Sequence, residues 1–579
     1  MHLAAVKQSH RLAWLLGVTT LMGAFLFLWR LHAVGQWDET PALFAAAGRA
    51  MADTGDWLTP RVNGHPRFDK PVLIYWLIGF FSLLPPHLDP LGSLAANLPS
   101  ALAMIAVMLM LAFTVFKFQP QANFTNSLMA ALAFGLSPLV LLWGRVSVSD
   151  PLLTACIAIA LLGFWQCYAK GAGPWLWGSW IFLGLAILTK GPVALLIAAS
   201  CLVCFGLWQG DFSRLISQIA PGRGLSLSLV VATPWYLLEL WREGKPFLDS
   251  FFGYHNLQRF NQVVNHHSGP WWFFIPVLII ASLPATPLLL LGLSEQFKNF
   301  RQPCEPANSL ARFACCWLLG VMLIFSTSAT KLVSYLLPAL PAMALLIGLS
   351  GGNKLENKRA FLGSVLIAAL MGVGFLFAPI WLPLINDPEM PGFATQLLDS
   401  GAVERSGFCF LAAALIGGGT KSLLGLQLPL LLWPMVGLVP SAEITDKIRQ
   451  QPVRAVAAVV RKQIRPGEVL AMVGINKPSL HYYTNQVVIY EGRPASGLRN
   501  LGERLQVNRQ EPAVESFLLV IDRTTASQPF WKVVDHQLLT RQGIYELWRV
   551  PRMTIQQQAK LLATQGVVST WQQPNPERY

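Results

Sequence analysis

The chain has 579 residues, of which 54% are hydrophobic and 12% charged, and its mean hydropathy is +0.47. Soluble proteins average about 25% charged residues, so this composition excludes a soluble enzyme, a disordered chain, a fibrous repeat and a disulfide-stapled secreted scaffold, and it describes a polytopic membrane protein. The net charge of +14, from 43 Lys+Arg against 29 Asp+Glu, rests on few residues, each of which needs a place.

At the N-terminus, Lys7 and Arg11 precede an apolar run to Trp29 with no small-residue cleavage site after it, the pattern of a retained signal-anchor helix. Length and apolarity predict thirteen spans, at 11–30, 92–116, 126–143, 151–169, 174–189, 191–208, 224–240, 271–293, 309–327, 332–350, 360–384, 406–420 and 422–439. With a cytoplasmic N-terminus, an odd number of spans puts the C-terminal part outside the cytoplasm. Lys117, Lys170, Arg214, Arg223, Lys298, Arg301, Arg312, Lys354, Lys358, Arg359 and Lys421 then face the cytoplasm, as the positive-inside rule requires. The outer loops hold nearly as many Lys and Arg. There they mix with Asp, Glu and His within 31–70 and 241–270, the composition of a site rather than of a topology signal. The apolar stretch 71–86 is too short to span and ends in Pro85-Pro86; it reads as a helix at the outer interface, with Tyr75 and Trp76 at headgroup level.

The expected organisation is a transmembrane domain over 1–440, with outer catalytic loops at 31–90 and 241–270, and an extracytoplasmic α/β domain over 441–579. The second part holds 29 of the 72 charges and a net charge of +7. An amphipathic helix is predicted at 442–464, strands at 468–475, 486–492, 516–522 and 544–550, and a helix over LRNLGERLQ. The Gln-rich last 20 residues are expected to be disordered. All eight cysteines lie in apolar stretches or short loops and none in the tail. Cys201-x-x-Cys204 has zinc-like spacing but sits in an apolar helix without further ligands, so it is read as structural. No charge run suggests nucleic-acid binding; the positive balance fits attraction to anionic lipid.

The chemistry concentrates in the first outer loop. Asp38-Glu39 at the end of the first span sets two carboxylates at the membrane surface, and GDWLTPRVNGHPRFDKP, from Gly55 to Pro71, adds Arg61, Arg67, Asp69 and Lys70. A carboxylate can act as general base on an acceptor hydroxyl, and cations can hold a phosphate leaving group. In the second outer loop, His255 and Arg259 are four apart and share a face if helical; His266 and His267 precede Gly-Pro-Trp-Trp. Arg145 and Asp150 bracket VSVS, Lys190 stands in LTKGPVA, and Lys331 stands in SATKLVSYLLPALP with Tyr335 one turn on. Ionisable groups this close to hydrocarbon are functional candidates, with snorkelling as the plainer alternative. A transporter of lipid-linked sugars is the competing class. It would show internal repeats and mid-span polar residues, whereas here no repeat is seen and the ionisable residues sit at helix ends.

Taken together, DET, GDWLTPRVNGHPRFDKPVLIYWL, RVSVSD, LTKGP, HNLQRF and KLVSYLLPALPA resemble the ArnT-type glycosyltransferases, relatives of the protein O-mannosyltransferases. The resemblance runs in order over most of 35–345. It implies the GT-C fold, with a catalytic cavity at the outer face of an inner or plasma membrane and a polyprenyl (undecaprenyl) phosphate sugar as donor. In ArnT that sugar is 4-amino-4-deoxy-L-arabinose and the acceptor is a lipid A phosphate; another lipid or a protein acceptor, the latter as in O-mannosyltransferases, stays open, as does a hexose. By motif, Asp38 is the implied catalytic carboxylate with Glu39 beside it. Lys70, Arg67, Arg259, Lys331 and Tyr335 are implied to hold the donor phosphate, and Arg61, Asp150 and Lys190 to line the cavity or meet the acceptor. Asp69 and His255 match positions tied to a divalent metal such as zinc. Two departures stand out: the family's Arg-Phe-Glu-Lys-Pro is RFDKP here, and Glu39 is followed by Thr40-Pro41-Ala42-Leu43-Phe44 where relatives carry an Arg-Tyr pair. A monomer without nucleic-acid partners is expected.

Overall fold

A computed structural model describes residues 2–119, 123–263, 267–350, 355–507 and 515–572. Each of the thirteen predicted spans is occupied by a helix or a broken run of helices, from His2–Leu28 to Leu423–Arg449. Among the described residues seven helices are long and apolar enough to cross a bilayer alone, and Phe124–Gly135, Trp175–Lys190, Val193–Gln209 and Val333–Leu349 are apolar but shorter. The helix Ser149–Lys170 is almost wholly buried and forms the centre of the bundle, packed against Ser93–Phe118 and Trp175–Lys190. Outer helices expose their apolar side chains instead: Trp14, Leu21, Leu207, Leu362, Leu366 and Leu415 face outward. In water such a surface would be a liability, and in lipid it is the expected exterior. The chain is an integral membrane protein.

One span departs from a straight helix. Phe274–Ala281 and Thr286–Lys298 meet at 116°. Pro284 lies between them, and a residue without an N–H cannot extend the ladder. The ends of the bundle sort into two groups. At one, Arg312 donates to Gln209 Oε1 (3.0 Å) and to the Asn299 and Gln302 carbonyls, and the Ala172 N–H donates to Gln218 (2.7 Å). At the other, Arg145 donates to the Leu26 and Trp29 carbonyls (2.9 and 2.6 Å). Arg312 stands at the start of the helix Leu310–Thr327 and Lys331 beyond its end, in the cavity wall that also holds Arg145; Lys354 lies outside the described residues.

The stretch 71–86 holds the nine-residue helix Leu73–Phe81, about 14 Å long at 1.5 Å per residue. Tyr75 is not at a headgroup surface but fully buried. Its hydroxyl is tied to Arg67 and Asp69, and those two buried charges require such a partner. Ahead of it, β1 (Arg61–Val62) and β2 (His65–Pro66) form a hairpin. Its Asn63-Gly64 turn has φ of 55° and 83°, the left-handed pair that two-residue hairpins need.

The C-terminal part is a five-stranded sheet of β3 (Leu470–Val473), β4 (Val488–Glu491), β5 (Ser516–Asp522), β6 (Gln537–Gln542) and β7 (Tyr545–Pro551), in the order β4-β3-β5-β7-β6. β3 runs parallel to β4 and β5; β7 runs antiparallel to β5 and β6. Alternation along β5 sends Phe517, Leu519 and Ile521 into one core with Leu498, Leu501 and Ile555, and Leu518 and Val520 into another with Val453, Val456 and Val460. Three details differ from expectation. The helix at 442–464 is two, Val439–Arg449 and Gln451–Gln463, because Pro452 opens the second. β6 was not foreseen, since its polar QLLTRQ is an edge strand. Residues expected to be disordered begin inside the helix Arg552–Thr564, whose Gln run masks a buried stripe of Ile555, Ala559 and Leu562; residues 573–579 lie outside the described set.

The sheet part docks on the first loop through buried bonds. Asn63 donates to the Val488 carbonyl (2.8 Å) and accepts from the Val488 N–H (2.7 Å), the Gly35 N–H donates to Asp446 (2.9 Å), and the Gln36 N–H donates to Tyr483 Oη (2.7 Å). Replacing Asn63 with Ala strands both Val488 groups, at a cost of about 1–3 kcal/mol. The N63A protein in detergent is expected to show a lower thermal unfolding midpoint and earlier proteolytic release of the sheet part than the parent protein.

Candidate active site

Residues of the segments 30–70 and 259–268, of the adjoining helix ends and of the helix Val439–Arg449 enclose a cavity of about 1180 Å³. Asp38, Glu39, Arg67, Asp69, Lys70, Asp150, Lys190, Arg259, Lys331 and Tyr335 all line it, so ten of the twelve sequence-derived site residues converge although they lie up to 297 positions apart. Arg30, Arg145 and Arg449 complete a wall of eight Lys and Arg against four carboxylates. Such an excess in a concave site focuses positive potential and suits an anionic ligand. Trp37, Leu141, Trp143, Phe273, Leu438 and Val439 supply an apolar wall beside it.

Asp38 leaves the first span just before the helix Thr40–Thr54, which opens on Pro41, a residue suited to a first turn because its missing N–H is not needed there. Asp38 Oδ1 accepts the Ser479 N–H (2.8 Å) and Oδ2 accepts the Ser479 hydroxyl (2.8 Å). With its amide oriented to satisfy both partners, Gln450 donates to Oδ2 (2.6 Å) and accepts from the Asp38 N–H (3.3 Å). Burial pushes the Asp38 carboxyl up to about 6, against the opposing pull of Lys477, Ser479 and Arg449. Glu39 is exposed at the cavity mouth.

Arg67, Asp69, Lys70 and Tyr75 form the floor. Arg67 Nη2 meets Asp69 Oδ2 at 2.6 Å, and Arg67 Nε donates to Tyr75 Oη (3.1 Å). Tyr75 Oη donates to Asp69 Oδ1 (2.9 Å), and Lys70 Nζ donates to the Asp69 carbonyl (2.8 Å). Burial alone would raise the Asp69 carboxyl; the charges of Arg67 and Lys70 outweigh it and hold Asp69 well below the usual range. Burial lowers Lys70 to about 8, Arg259, Lys190 and Arg67 pushing the same way and Asp69 opposing. At the opposite wall Lys190 pairs with Asp150 and lies 4.4 Å over the Tyr335 ring. Lys331 Nζ donates to the Ser326 and Ser328 carbonyls (2.9 and 2.8 Å), at the C-terminus of the helix Leu310–Thr327, where a cation is favoured.

Two residues fall elsewhere. Arg61 is outside the cavity wall, paired with Glu243 (2.9 Å) and near Asp56 (3.8 Å). His255 is buried behind the floor and does not line the cavity. The segment Leu248–Gln258 is π-helical, closing i→i+5 bonds, so residues four apart do not stack as on an α-helix; Arg259 enters the wall and His255 does not. Burial lowers His255 to about 3, which leaves it neutral. The metal implied by Asp69 and His255 does not fit this arrangement: both Asp69 oxygens are held by Arg67 and Tyr75, and among the described residues no three His, Cys, Asp or Glu are placed to share an ion. Sequence reasoning missed Ser479, Gln450, Lys477 and Arg449. None of the four carried a signal in the sequence, where Arg449 and Gln450 fall inside the single helix predicted at 442–464.

Residues 69–237 match the family model described as dolichyl-phosphate-mannose-protein mannosyltransferase, and residues 463–566 match that of the C-terminal domain of cyanobacterial RgtA-type glycosyltransferases. Over 455 residues the chain is 26% identical to the undecaprenyl phosphate-alpha-4-amino-4-deoxy-L-arabinose arabinosyl transferase of Erwinia tasmaniensis, covering 76% of this chain and 78% of that protein. It is 29% identical over 447 residues to the protein of the same name from Pseudomonas aeruginosa, covering 75% and 76%. Among solved structures, ArnT from Cupriavidus metallidurans bound to undecaprenyl phosphate superposes with a TM-score of 0.77 at 19% identity, over 93% of this chain and 97% of that one. Two family matches on successive parts of the chain, relatives that align along three quarters of it and a shared architecture agree with the loop motifs: the chain is an ArnT-like glycosyltransferase of the GT-C class.

Proposed function

We propose that this enzyme transfers a sugar from an undecaprenyl phosphate-type donor to an envelope lipid at the outer face of an inner or plasma membrane. The membrane part, 1–440, carries the cavity, and the sheet part, 441–579, covers it from the extracytoplasmic side. The observation that carries the reading is the convergence, in one cavity, of the Ser479-bound Asp38 carboxylate and an excess of cations beside an apolar wall. The relatives' names and the undecaprenyl phosphate in the Cupriavidus ArnT structure support the donor class.

The donor's leaving group is a phosphate, so its departure needs cations more than a proton. Lys70, Arg259 and Lys331 hold the phosphate oxygens, Tyr335 flanks them, and Arg67 fixes the floor through Asp69. Asp150 holds Lys190 in the opposite wall. As the C1–O bond breaks, the electron pair passes to the phosphate oxygen and the cations take up the growing charge. The acceptor oxygen attacks C1. If it is a hydroxyl, its proton passes to Asp38, which at about 6 is ionised at neutral pH yet still basic. If it is a phosphate, no proton needs to move, and Asp38 orients the acceptor or pairs with an amino group of the sugar. Water is kept out by the apolar wall, which protects the donor from hydrolysis. The mannosyltransferase match over 69–237 favours a second reading, a protein acceptor.

Mass spectrometry of envelope lipids and proteins from cells with and without the chain identifies sugar and acceptor together. A sugar-sized increment on a lipid is expected, and the same increment on protein alone would favour the second reading. Asp38→Asn should lower transfer by about 10²–10⁴ while the protein still inserts; full activity would remove Asp38 from the reaction. Asp38 must be ionised and Lys70 protonated. The rate should therefore rise through pH 6 and fall through pH 8. Lys70→Met should cost about 10²–10³, whereas Lys70→Arg, charged at every accessible pH, should retain part of the rate and lose the alkaline limb. A periplasm-active phosphatase reporter fused to the C-terminus should be active, and a reporter that works only in the cytoplasm should be silent.

A further inference from the structure

We infer that Ser479 and Gln450, both from the C-terminal part, are positioning residues that hold the Asp38 carboxylate in one orientation, so that the sheet domain completes the active site rather than merely sitting beside it. This rests on the proposed role of Asp38. An ionised carboxylate offers about four acceptor positions on two oxygens. Three are filled from the C-terminal part: one on Oδ1 by the Ser479 N–H, and two on Oδ2 by the Ser479 hydroxyl and the Gln450 amide. The Gln450 oxygen also takes the Asp38 N–H, so side chain and backbone are gripped together. The remaining position, on Oδ1, is the one open to an acceptor.

Docking alone does not require this. The bonds that Gly35, Gln36, Asn63, Arg49 and Gly92 make to the C-terminal part lie outside the cavity wall, whereas Arg30, which lines it, pairs with Glu443 (2.8 Å) without touching Asp38. Asp38 does line it. The surrounding charges come from several elements. Lys477 precedes Ser479, and Arg449 ends the helix before Gln450. Glu389 bridges the two, at 2.7 Å from Lys477 Nζ and 2.9 Å from Arg449 Nη2. Tyr490 on β4 and Tyr545 on β7 also face the carboxylate, and Glu39 adjoins it in sequence. Ser479, Lys477 and Arg449 all favour the ionised form, against burial. Loss of the Ser479 hydroxyl therefore raises the Asp38 pKa, and the acid limb of the reaction moves to higher pH.

The test follows the protonated Asp38 carboxyl by infrared difference spectroscopy of the full-length protein, with Asp38→Asn identifying the band. The parent protein should titrate near pH 6. Ser479→Ala should titrate about one pH unit higher, Ser479→Thr should return toward the parent value, and Gln450→Ala should shift in the same direction as Ser479→Ala. In cells or membranes, transfer by Ser479→Ala should fall about fivefold at pH 6 and less than twofold at pH 7.5, as a one-unit shift in ionisation requires. An unmoved midpoint in both Ser479→Ala and Gln450→Ala, or an equal loss of transfer at the two pH values, overturns the inference. Full transfer by Asp38→Asn overturns the reading on which it rests, and is distinguished because it needs no Ser479 variant.

Discussion

A charge at the end of an apolar helix bundle has lost much of its water and must find a partner or a ligand. Arg67 shows the consequence most clearly. It is almost fully buried, and its guanidinium is spent on Asp69 and Tyr75. That pair pins the loop carrying Lys70 against the helix Leu73–Phe81, which buries the face of Ile74, Tyr75 and Ile78 and leaves Phe80 exposed. Lys190 with Asp150, and Lys331 on the carbonyls at the end of Leu310–Thr327, answer the same constraint from other helix ends. Four carboxylates cannot balance eight cations, and the residual positive charge is what an anionic lipid head can use.

The same constraint explains how two unlike parts of the chain come to share one site. Asp38 lies beyond the end of the first helix, half-buried in the cavity wall and hydrogen-bonded to Ser479 rather than paired with a cation. Its partners come from the sheet part, more than 400 residues on. Docking and chemistry are therefore linked: the contacts that seat the sheet on the hairpin at Asn63 also bring Ser479 and Gln450 to Asp38. Its carboxyl is left in a range where it can accept a proton at neutral pH, the condition a general base has to meet.

Much of this was legible in the sequence, for identifiable reasons. Ionisable residues at the ends of apolar runs are rare, so Asp38, Lys70, Asp150, Lys190 and Lys331 stood out, and alternating span direction placed them at one end. Strand alternation and helix periodicity marked four of the sheet strands. What failed was whatever depended on distant pairing. Arg61 and Arg67 occupy one loop and look alike in sequence, yet Glu243 claims the first and Asp69 the second. Tyr75 reads as an interfacial aromatic until its hydroxyl is seen between two charges. His255 stays within electrostatic reach of Arg259 and Asp69, yet in the π-helical segment it lies outside the cavity wall that Arg259 joins. Ser479 and Gln450 carry no local signal, since a serine or glutamine in a soluble part acquires meaning only from the carboxylate it meets.

The most direct measurement is a structure of this protein determined by electron cryo-microscopy with undecaprenyl phosphate added. A cavity built to hold a lipid-linked phosphate predicts density for the phosphate between Lys70, Arg259 and Lys331, with the lipid tail along the apolar wall and Asp38 still bound to Ser479. A phosphate seated outside this cavity, or a cavity left empty at saturating lipid, would contradict it.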